Sequence, residues 1–507
     1  MSKAEFRGRT TELQLLDYLW ELPTSTLLIL YGRRRVGKTR LLTHWLGQVP
    51  ERSIYWVAEP TSAYDQLRSF SQTIYNFAHP DAPAPLEFTY ANWEQALQQL
   101  ARLSENGRIA IFIDEVTYLI DVDPAIMGTL QKMWDHTLSS ADLFIALSGS
   151  QMGLMQREML SYQAPLYGRA TAQIQLPPLP FDVTSKFFPA YNTAERVALY
   201  AIFGGIPAYW ERLDKKASVI ENVRTQLLTS NTLMQEEPRL LLQDFISDPH
   251  NYVSILRAIA HGSQTQSEIG KRTGLSQGHV SKYLGVLRDT GFVERRVPVT
   301  EVSEKSRRGR YYVTDPYLRF YYRFLASYQA QLALGAQQKA QDAVMANLPE
   351  FIEKNTWVEL CQEWLLQAGM HGELPFEPEK IGGQWTRSQE AAVAAINYPE
   401  RQIILGDCFW RDQPLDRVVI DELVRKTVYL VPKEDEWTVH YISFAAHGWD
   451  DDAQETAEAL IDSANRNWVV GSVQLLDLQA VDEGLTHWAI DNTSSAVPTM
   501  ATQPRLF

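Results

Sequence analysis

A phosphate-binding loop motif limits what this chain can fold into more than any other feature of its sequence. Residues 32–39 have the sequence GRRRVGKT, which matches G-x4-G-K-[ST]. The motif is informative only between a strand and a helix. Residues 26–31 are apolar enough for a buried strand, and residues 41–46 have the apolar spacing of a helix. The sequence therefore predicts the strand, loop and helix of an α/β phosphate-binding domain.

The residue types in this loop indicate what it would bind. Gly32 and Gly37 allow a tight turn that brings backbone N–H groups to phosphate oxygens. Lys38 would reach the β- and γ-phosphates, and Thr39 would offer its hydroxyl to Mg²⁺. The expected ligands are therefore ATP and Mg²⁺.

Arg33, Arg34 and Arg35 occupy variable positions of the loop. Because the loop backbone faces the phosphates, these side chains are expected to point away from them. They would form either a solvated basic rim or contacts with a neighbouring element or subunit. The rim is the preferred interpretation for at least two of the three.

Acidic and hydroxyl side chains follow two further apolar segments. Residues 108–115, RIAIFIDE, predict a strand that ends at Asp114 and Glu115. Asp114 is placed to hold Mg²⁺ through water, and Glu115 is placed to polarise an attacking water. Ser148 and Ser150, at the end of the next predicted strand, could sense the γ-phosphate. The acid pair, with a predicted strand at 53–58 between the two motifs, is typical of NTPases that carry their own catalytic glutamate.

Composition indicates a globular protein with an uneven charge distribution. The chain has 507 residues, 45% hydrophobic and 21% charged, which predicts about three domains. Its two cysteines form neither a disulfide framework nor a metal cluster, and no apolar run approaches membrane-spanning length. We therefore expect a cytoplasmic protein that does not contact the membrane.

The net charge of the chain is −14, but one segment within it is basic. Residues 331–507 contain 12 Lys and Arg against 28 Asp and Glu, whereas residues 251–314 contain 11 against 5. A basic segment within an acidic protein indicates a polyanionic partner.

That basic segment has the pattern of a winged helix-turn-helix. Helices are predicted from Ser254 to His261, over TQSEIGKRTGL and over SQGHVSKYLGVLRDTG, followed by two strands that form a wing. Ser276 is the expected N-cap of the third helix. The N-terminal residues of such a helix enter the major groove, so duplex DNA is the expected partner. Docking of another protein is the alternative. The predicted DNA contacts are Ser276, Gln277, His279 and Lys282 on the helix, and Lys305, Arg307, Arg308 and Arg310 in the wing.

Several strings together resemble the archaeal-type ATPases, a group of AAA+-related STAND NTPases. They are FRGRTTEL at residues 6–13, YGRRRVGKT, IFIDE, LSGS, PLYGR and FGGIPAYW at residues 203–210. The resemblance implies that the segment around Phe6–Arg9 borders adenine and that Arg9 helps to bind the nucleotide. It also implies that Pro207 contacts the base from a helical lid. Arg169 would be an arginine finger or sensor near the γ-phosphate, acting within its own subunit or across an interface.

The C-terminal region resembles the DUF234 extension, which is related to the restriction-endonuclease-like fold. In that family, acidic residues and a lysine on two strands gather Mg²⁺ and activate water. Here Glu353 and Glu359 remain on the helix, but Ala391 and Ala392 stand where the aspartate belongs. Asp407 replaces a glutamate, and Phe409 replaces the lysine. The resemblance therefore implies an inactive nuclease-like domain.

These observations predict an α/β chain with a P-loop NTPase parallel sheet, a helical lid, a winged helix and a nuclease-like α/β domain. The predicted bounds are 1–178, 179–245, 246–325 and 326–490, with a flexible tail at 491–507. The leading functional hypothesis is an ATPase switch coupled to a DNA-binding winged helix. The alternatives are a non-catalytic, ATP-stabilised DNA-binding regulator and a protein-docking scaffold. The sequence does not decide whether the C-terminal domain binds a protein partner or whether the chain assembles into a homo-oligomer.

Overall fold

The computed structural model describes residues 6–48, 52–230, 232–243, 249–303, 305–465 and 467–494. By their contacts these residues divide into two compact units. The first contains the chain up to Leu179 together with Ile206–Glu211, and the second contains Pro180–Gly205, Arg212–Gln243 and the described residues from Pro249 onward. The five predicted domain bounds stay a prediction.

The elements up to Leu179 alternate between strands and helices. They are α1 (Thr10–Glu21), β1 (Thr26–Tyr31), α2 (Lys38–Leu46), β2 (Ser53–Val57), α3 (Ala63–Ala78), α4 (Trp93–Ser104), β3 (Ile109–Asp114), α5 (Val116–Val122), α6 (Ile126–His136), β4 (Leu143–Gly149), α7 (Met152–Met155) and β5 (Ala172–Gln175). The strands form one parallel sheet in the order β2-β3-β4-β1-β5. The predicted strands that carry the loop and the acid pair are confirmed.

The sheet is covered on both faces, as expected for parallel strands with continuous apolar sequences. Successive residues of β1 point to opposite faces, so Leu27 and Ile29 join one hydrophobic cluster while Leu28 and Leu30 join another. Strand β4 lies between β1 and β3. The carboxyl ends of β1, β3 and β4 therefore lie side by side at one edge of the sheet.

The elements after Leu179 are mainly helical until the C-terminal sheet. They are α8 (Thr184–Phe187), α9 (Thr193–Phe203), α10 (Pro207–Trp210), α11 (Val219–Val223), α12 (Leu233–Gln243), α13 (His250–Ala260), α14 (Gln266–Thr273), α15 (Gln277–Asp289), β6 (Val293–Arg296), β7 (Arg310–Val313), α16 (Pro316–Phe320), α17 (Gln329–Ala333), α18 (Gln338–Ile352), α19 (Val358–Met370), β8 (Lys380–Trp385), β9 (Glu390–Asn397), β10 (Gln402–Gly406), β11 (Cys408–Phe409), α20 (Val418–Leu430), β12 (Trp437–Ala445), α21 (Asp451–Leu460), β13 (Ala464–Asn465), β14 (Trp468–Asp477) and α22 (Leu478–Ser494). Five-residue π-helical segments follow α7, α11, α16 and α18. Helix α10 belongs to the first unit.

Helices α13 to α15 and the hairpin β6-β7 confirm the predicted winged helix. Helix α13 begins at His250 rather than at the predicted Ser254. Thr265 and Glu268 form a capping box at the start of α14, and Gly274 ends that helix with a positive φ of 71°. Ser276 is the N-cap of α15, as predicted.

The C-terminal sheet is mixed, with the order β13-β14-β12-β10-β9-β8 and β11 paired to β12. Strands β10, β12 and β14 are parallel, whereas β8, β9 and β10 form antiparallel pairs. Helix α22 continues through Ser494, so the predicted flexible tail starts within a helix. The rest of that tail lies outside the described residues. Within the described ranges, the structure contains no helix long and apolar enough to span a membrane.

Candidate nucleotide-binding site

The loop between β1 and α2 requires glycine at both ends of its motif. Gly32 has a φ of 156°, and a Cβ atom there would lie 2.7 Å from the carbonyl oxygen of Leu176. Gly37 has a φ of 101° and immediately precedes the first turn of α2. Because a side chain would be strained at either position, the two predicted glycines are explained by backbone geometry.

A cavity of about 430 Å³ opens above this loop, within the first unit. Its lining consists of Arg34, Arg35, Gly37, Lys38, Thr39, Arg40, Glu115, Tyr118, Pro207, Ala208 and Glu211. The volume lies in the range of small-molecule sites. The cavity combines the N-terminus of α2 with four cationic side chains, an environment that favours an anionic ligand.

Lys38 is bound to the loop itself. Its Nζ donates hydrogen bonds to the carbonyl oxygens of Gly32 and Arg33, at 2.9 and 3.2 Å. Burial lowers the pKa of Lys38, while the carboxylates of Glu115 and Asp114 oppose that change. The ammonium group is thus held at the cavity wall, close to two acids.

The carboxylate of Asp114, at the end of β3, accepts hydrogen bonds from three hydroxyl groups. Thr39 donates to its Oδ2 at 2.6 Å, Tyr55 donates to the same oxygen at 3.2 Å, and Ser148 donates to its Oδ1. Burial raises the pKa of Tyr55, and the charge of Asp114 raises it further. The structure therefore brings together the two predicted metal ligands, Thr39 and Asp114. One hydroxyl and one carboxylate suit Mg²⁺, which takes its remaining ligands from water and phosphate.

Glu115 lines the cavity in an unusual backbone conformation. Its φ and ψ are 50° and 40°, a left-handed conformation that is uncommon outside glycine. Ser150 donates to Glu115 Oε2 from its hydroxyl at 2.8 Å and from its backbone N–H at 3.3 Å. Strain at a cavity wall is a frequent feature of functional positions.

The phosphate-sensing role predicted for Ser148 and Ser150 stays a prediction. Neither serine lines the cavity; each instead binds one carboxylate of the acid pair. Strand pairing explains these contacts: Ile113 on β3 is opposite Leu147 on β4, so the polar residues that come after this pair in each chain segment meet each other. The serines orient the acids.

The roles predicted for Arg169 and Arg9 also stay predictions, and each side chain has defined contacts in this structure. Arg169 binds Asp135 through Nε and Nη2, at 2.7 and 2.8 Å, and does not line the cavity of its own chain. Arg9 donates to the carbonyl oxygens of Val36 and Pro177, at 3.1 and 2.6 Å. It therefore links the N-terminal segment to the loop. Pro207, by contrast, lines the cavity as predicted, near Gly37.

The solvated rim expected of the loop arginines is also incorrect. Arg33 donates to the hydroxyl of buried Tyr209 at 2.6 Å, and Arg34 donates to the hydroxyl of Tyr118 at 3.2 Å. Both arginines thus contact neighbouring elements. Sequence reasoning missed these tyrosines, and it also missed the ion pair between Arg40 and Glu211. No local motif indicates which residues would lie opposite the loop.

The winged helix presents the predicted polar face. Ser276, Gln277, His279 and Lys282 are exposed, whereas Val280, Leu284 and Leu287 are buried. In the wing, Lys305, Arg307 and Arg308 are exposed as well.

Arg310 does not belong to that exposed set. Its Nη1 lies 2.7 Å from Glu390 Oε2, and its guanidinium lies 4.8 Å from the ring centre of Trp385. Trp385 in turn donates to the carbonyl oxygen of Arg308. The base of the wing therefore packs against strands β8 and β9, and the DNA contact at Arg310 stays a prediction.

The nuclease-like region contains a lysine that sequence reasoning missed. Lys426 on α20 lies 2.5 Å from Asp407 Oδ2, and the backbone N–H of Ala392 donates to the other oxygen of that carboxylate. Burial raises the pKa of Asp407, and the charge of Lys426 opposes that increase.

The two glutamates of the helix also have partners within the chain. Glu359 forms ion pairs with Arg319 and Arg296, while Glu353 accepts a hydrogen bond from the backbone N–H of Trp410. The acids are thus engaged in internal contacts, and the inactivity of this region stays a prediction.

Comparison with known families divides the chain into three matching regions. Residues 6–213 match the ATPase domain found predominantly in Archaea, and residues 249–308 match the MarR family. Residues 321–426 match DUF234, described as archaeal and bacterial proteins of unknown function.

Two relatives come from Methanocaldococcus jannaschii. The uncharacterized protein MJECL04 is 29% identical over 408 residues, covering 80% of this chain and 88% of the relative. The uncharacterized ATP-binding protein MJ0423 is 49% identical over 41 residues, covering 8% of this chain and 70% of the relative.

Among solved structures, the Walker-type ATPase PABY2304 of Pyrococcus abyssi is 19% identical with a TM-score of 0.48, covering 63% of this chain and 96% of that one. The ORC2 protein of Aeropyrum pernix is 15% identical with a TM-score of 0.39, covering 68% and 96%. The chain accordingly carries, in this order, an ATPase domain of the predominantly archaeal type, a winged helix of the MarR type and a DUF234 region.

Proposed function

We propose that this protein binds and hydrolyses ATP with Mg²⁺ and acts as a nucleotide-driven switch for a DNA-binding winged helix. The observation that carries the proposal is that Lys38, Thr39 and Glu115 line one cavity, and that buried Asp114 accepts a hydrogen bond from Thr39. Each has a side chain suited to one task in phosphoryl transfer. An ammonium, a hydroxyl-bound carboxylate and a glutamate beside one anion-favouring loop are the groups that phosphoryl transfer to water requires.

In this proposal each side chain of the site has a separate role in binding or hydrolysing ATP. Lys38 exchanges its carbonyl acceptors for phosphate oxygens, and backbone N–H groups after Gly32 hold the rest of the triphosphate. Thr39 and Asp114 would hold Mg²⁺, which would supply positive charge beside the phosphates. Glu115, positioned by Ser150, accepts hydrogen bonds from the attacking water.

The connection to the winged helix follows from the chain path. Pro207, Ala208 and Glu211 line the cavity, yet the residues on both sides of Ile206–Glu211 belong to the second unit. Within that unit, Tyr317 binds the backbone of Met234, and Pro316 packs against Gly204. Movement of the Pro207 segment on ATP binding would therefore be transmitted through Gly204 to the helix that follows the wing.

A lysine substitution tests the nucleotide assignment. Lys38→Ala should weaken Mg-ATP binding about 10- to 100-fold, because it removes a charge-assisted contact worth roughly 1.5–3 kcal/mol. The measurement is calorimetric titration of the full chain with Mg-ATP. Lys132→Ala, at an exposed lysine of α6 that pairs with Glu94, is the control. Unaltered affinity in Lys38→Ala would refute the assignment.

The DNA assignment depends on the exposed face of α15 and predicts a salt effect. The logarithm of duplex affinity should fall linearly with the logarithm of salt concentration. Lys282→Ala should weaken binding and lower that slope by about one, as expected for loss of one phosphate contact. Fluorescence anisotropy over a salt series measures both quantities.

Lys433→Ala, at an exposed lysine of the C-terminal region, should change neither the affinity nor the slope. An affinity that does not vary with salt would instead support the protein-docking alternative.

A further inference from the structure

A second cavity, of about 250 Å³, lies within the second unit. One wall comes from the winged helix, at His261 after α13 and at Tyr312 on β7. The opposite wall comes from Arg319 on α16, Arg323 in the π-helical segment after it, and Lys354 in the segment after α18. The nucleotide site described above uses none of these residues.

The charges around this cavity are mainly positive. Arg319, Arg323 and Lys354 line it, and Glu350 is the carboxylate that faces them from the lining. Glu350 lies 2.5 Å from Lys354, and Glu359, which is outside the lining, binds Arg319. Among the described residues, Arg323 therefore has no acid at bonding distance. Three cations from separate segments of the chain therefore line one cavity.

Arg319 supplies an unsatisfied donor. It is 4% exposed, and its two Nη atoms bind the oxygens of Glu359 at 2.6 and 2.8 Å. Its Nε–H has no hydrogen-bond acceptor among the described residues. A buried donor that stays unpaired costs about 1–3 kcal/mol, so an acceptor brought by a ligand would be stabilising.

The side chain of His261 lies close to several arginines. Arg323 Nη1 lies 3.0 Å from His261 Nδ1, and since a guanidinium can only donate, this nitrogen must accept. Burial lowers the pKa of His261, and the charges of Arg272, Arg323 and Arg257 lower it further. The arginines around the cavity thus disfavour another cation and favour an anion.

We propose that this cavity binds the phosphate group of a small molecule. Planar guanidinium groups and an ammonium are the side chains that recognise phosphate, through paired and single charge-assisted hydrogen bonds. The rings of Tyr311 and Phe351 also line the cavity and offer an apolar surface to an organic portion. A ligand in this cavity would contact both the winged helix and the helical segments around α16 and α18. The inference does not rest on ATP hydrolysis or DNA binding.

Calorimetric titration tests the site in the full chain carrying Lys38→Ala, which weakens phosphate binding at the nucleotide loop. The probes are inorganic phosphate and ribose 5-phosphate. We expect saturable binding of at least one probe, weakened about tenfold or more by Arg323→Gln and by Lys354→Gln, each of which removes one charge-assisted contact. Tighter binding of ribose 5-phosphate than of phosphate would identify an organic phosphate as the ligand.

Two controls keep the result interpretable. Arg425→Gln removes the same charge from an exposed position on α20 and should leave the affinity unaltered. The Lys354 side chain is 67% exposed, so Lys354→Gln should fold even if Arg323→Gln does not. Absence of saturable binding, or equal affinity in Lys354→Gln and Arg425→Gln, would overturn the proposal.

Discussion

Replacement of Glu115 by glutamine should lower the rate of ATP hydrolysis about 10²- to 10⁴-fold, the usual contribution of a positioned general base. Glutamine has nearly the same shape as glutamate and can still accept the hydrogen bonds of Ser150. It cannot, however, accept a proton from water. The substitution should therefore remove turnover while the affinity for Mg-ATP changes little.

The measurement combines steady-state phosphate release with calorimetric binding of Mg-ATP. Glu87→Gln makes the same chemical change at a side chain that is 86% exposed and should leave both quantities unaltered. Loss of binding together with turnover would mean that Glu115 supports the site structurally. Unchanged turnover would remove the catalytic assignment and favour the non-catalytic regulator.

The nucleotide-binding loop could be predicted because its determinants are local. Gly32 and Gly37 are fixed by backbone angles within one turn, and β1 and α2 are fixed by short apolar patterns. The exposed face of α15 could be predicted for the same reason, since Ser276 caps the helix and Val280 and Leu284 define its buried side. In each case the residues that decide the structure are close in sequence.

The contacts that the sequence did not predict depend on partners far away in sequence. Ser150 holds Glu115 because β3 and β4 are paired, and Arg310 is covered by Glu390, which is 80 residues away. Lys426 reaches Asp407 from a helix, so the motif around Phe409 gave no sign of a lysine. A side chain's identity indicates what it can bind, whereas the packing of distant segments decides what it does bind.

Replacement of Asp482 by alanine should destabilise the second unit by about 3–5 kcal/mol, the usual cost of leaving a buried charge without its partner. Asp482 and Arg196 are 8% and 7% exposed, and Arg196 Nη1 donates to Asp482 Oδ1 at 3.0 Å. Thr193 donates to Oδ2 at 3.1 Å, so both carboxylate oxygens are used. The substitution leaves a guanidinium buried between α9 and α22.

Denaturant unfolding of the full chain measures this effect, with Asp452→Ala, whose side chain is 58% exposed, as the control. The double substitution Arg196→Met and Asp482→Leu should recover much of the loss, because apolar groups of similar size carry no desolvation cost. If the double variant were as unstable as Asp482→Ala, packing rather than charge would govern this contact. The contact therefore tests whether charge pairing or apolar packing holds α9 against α22 within the second unit.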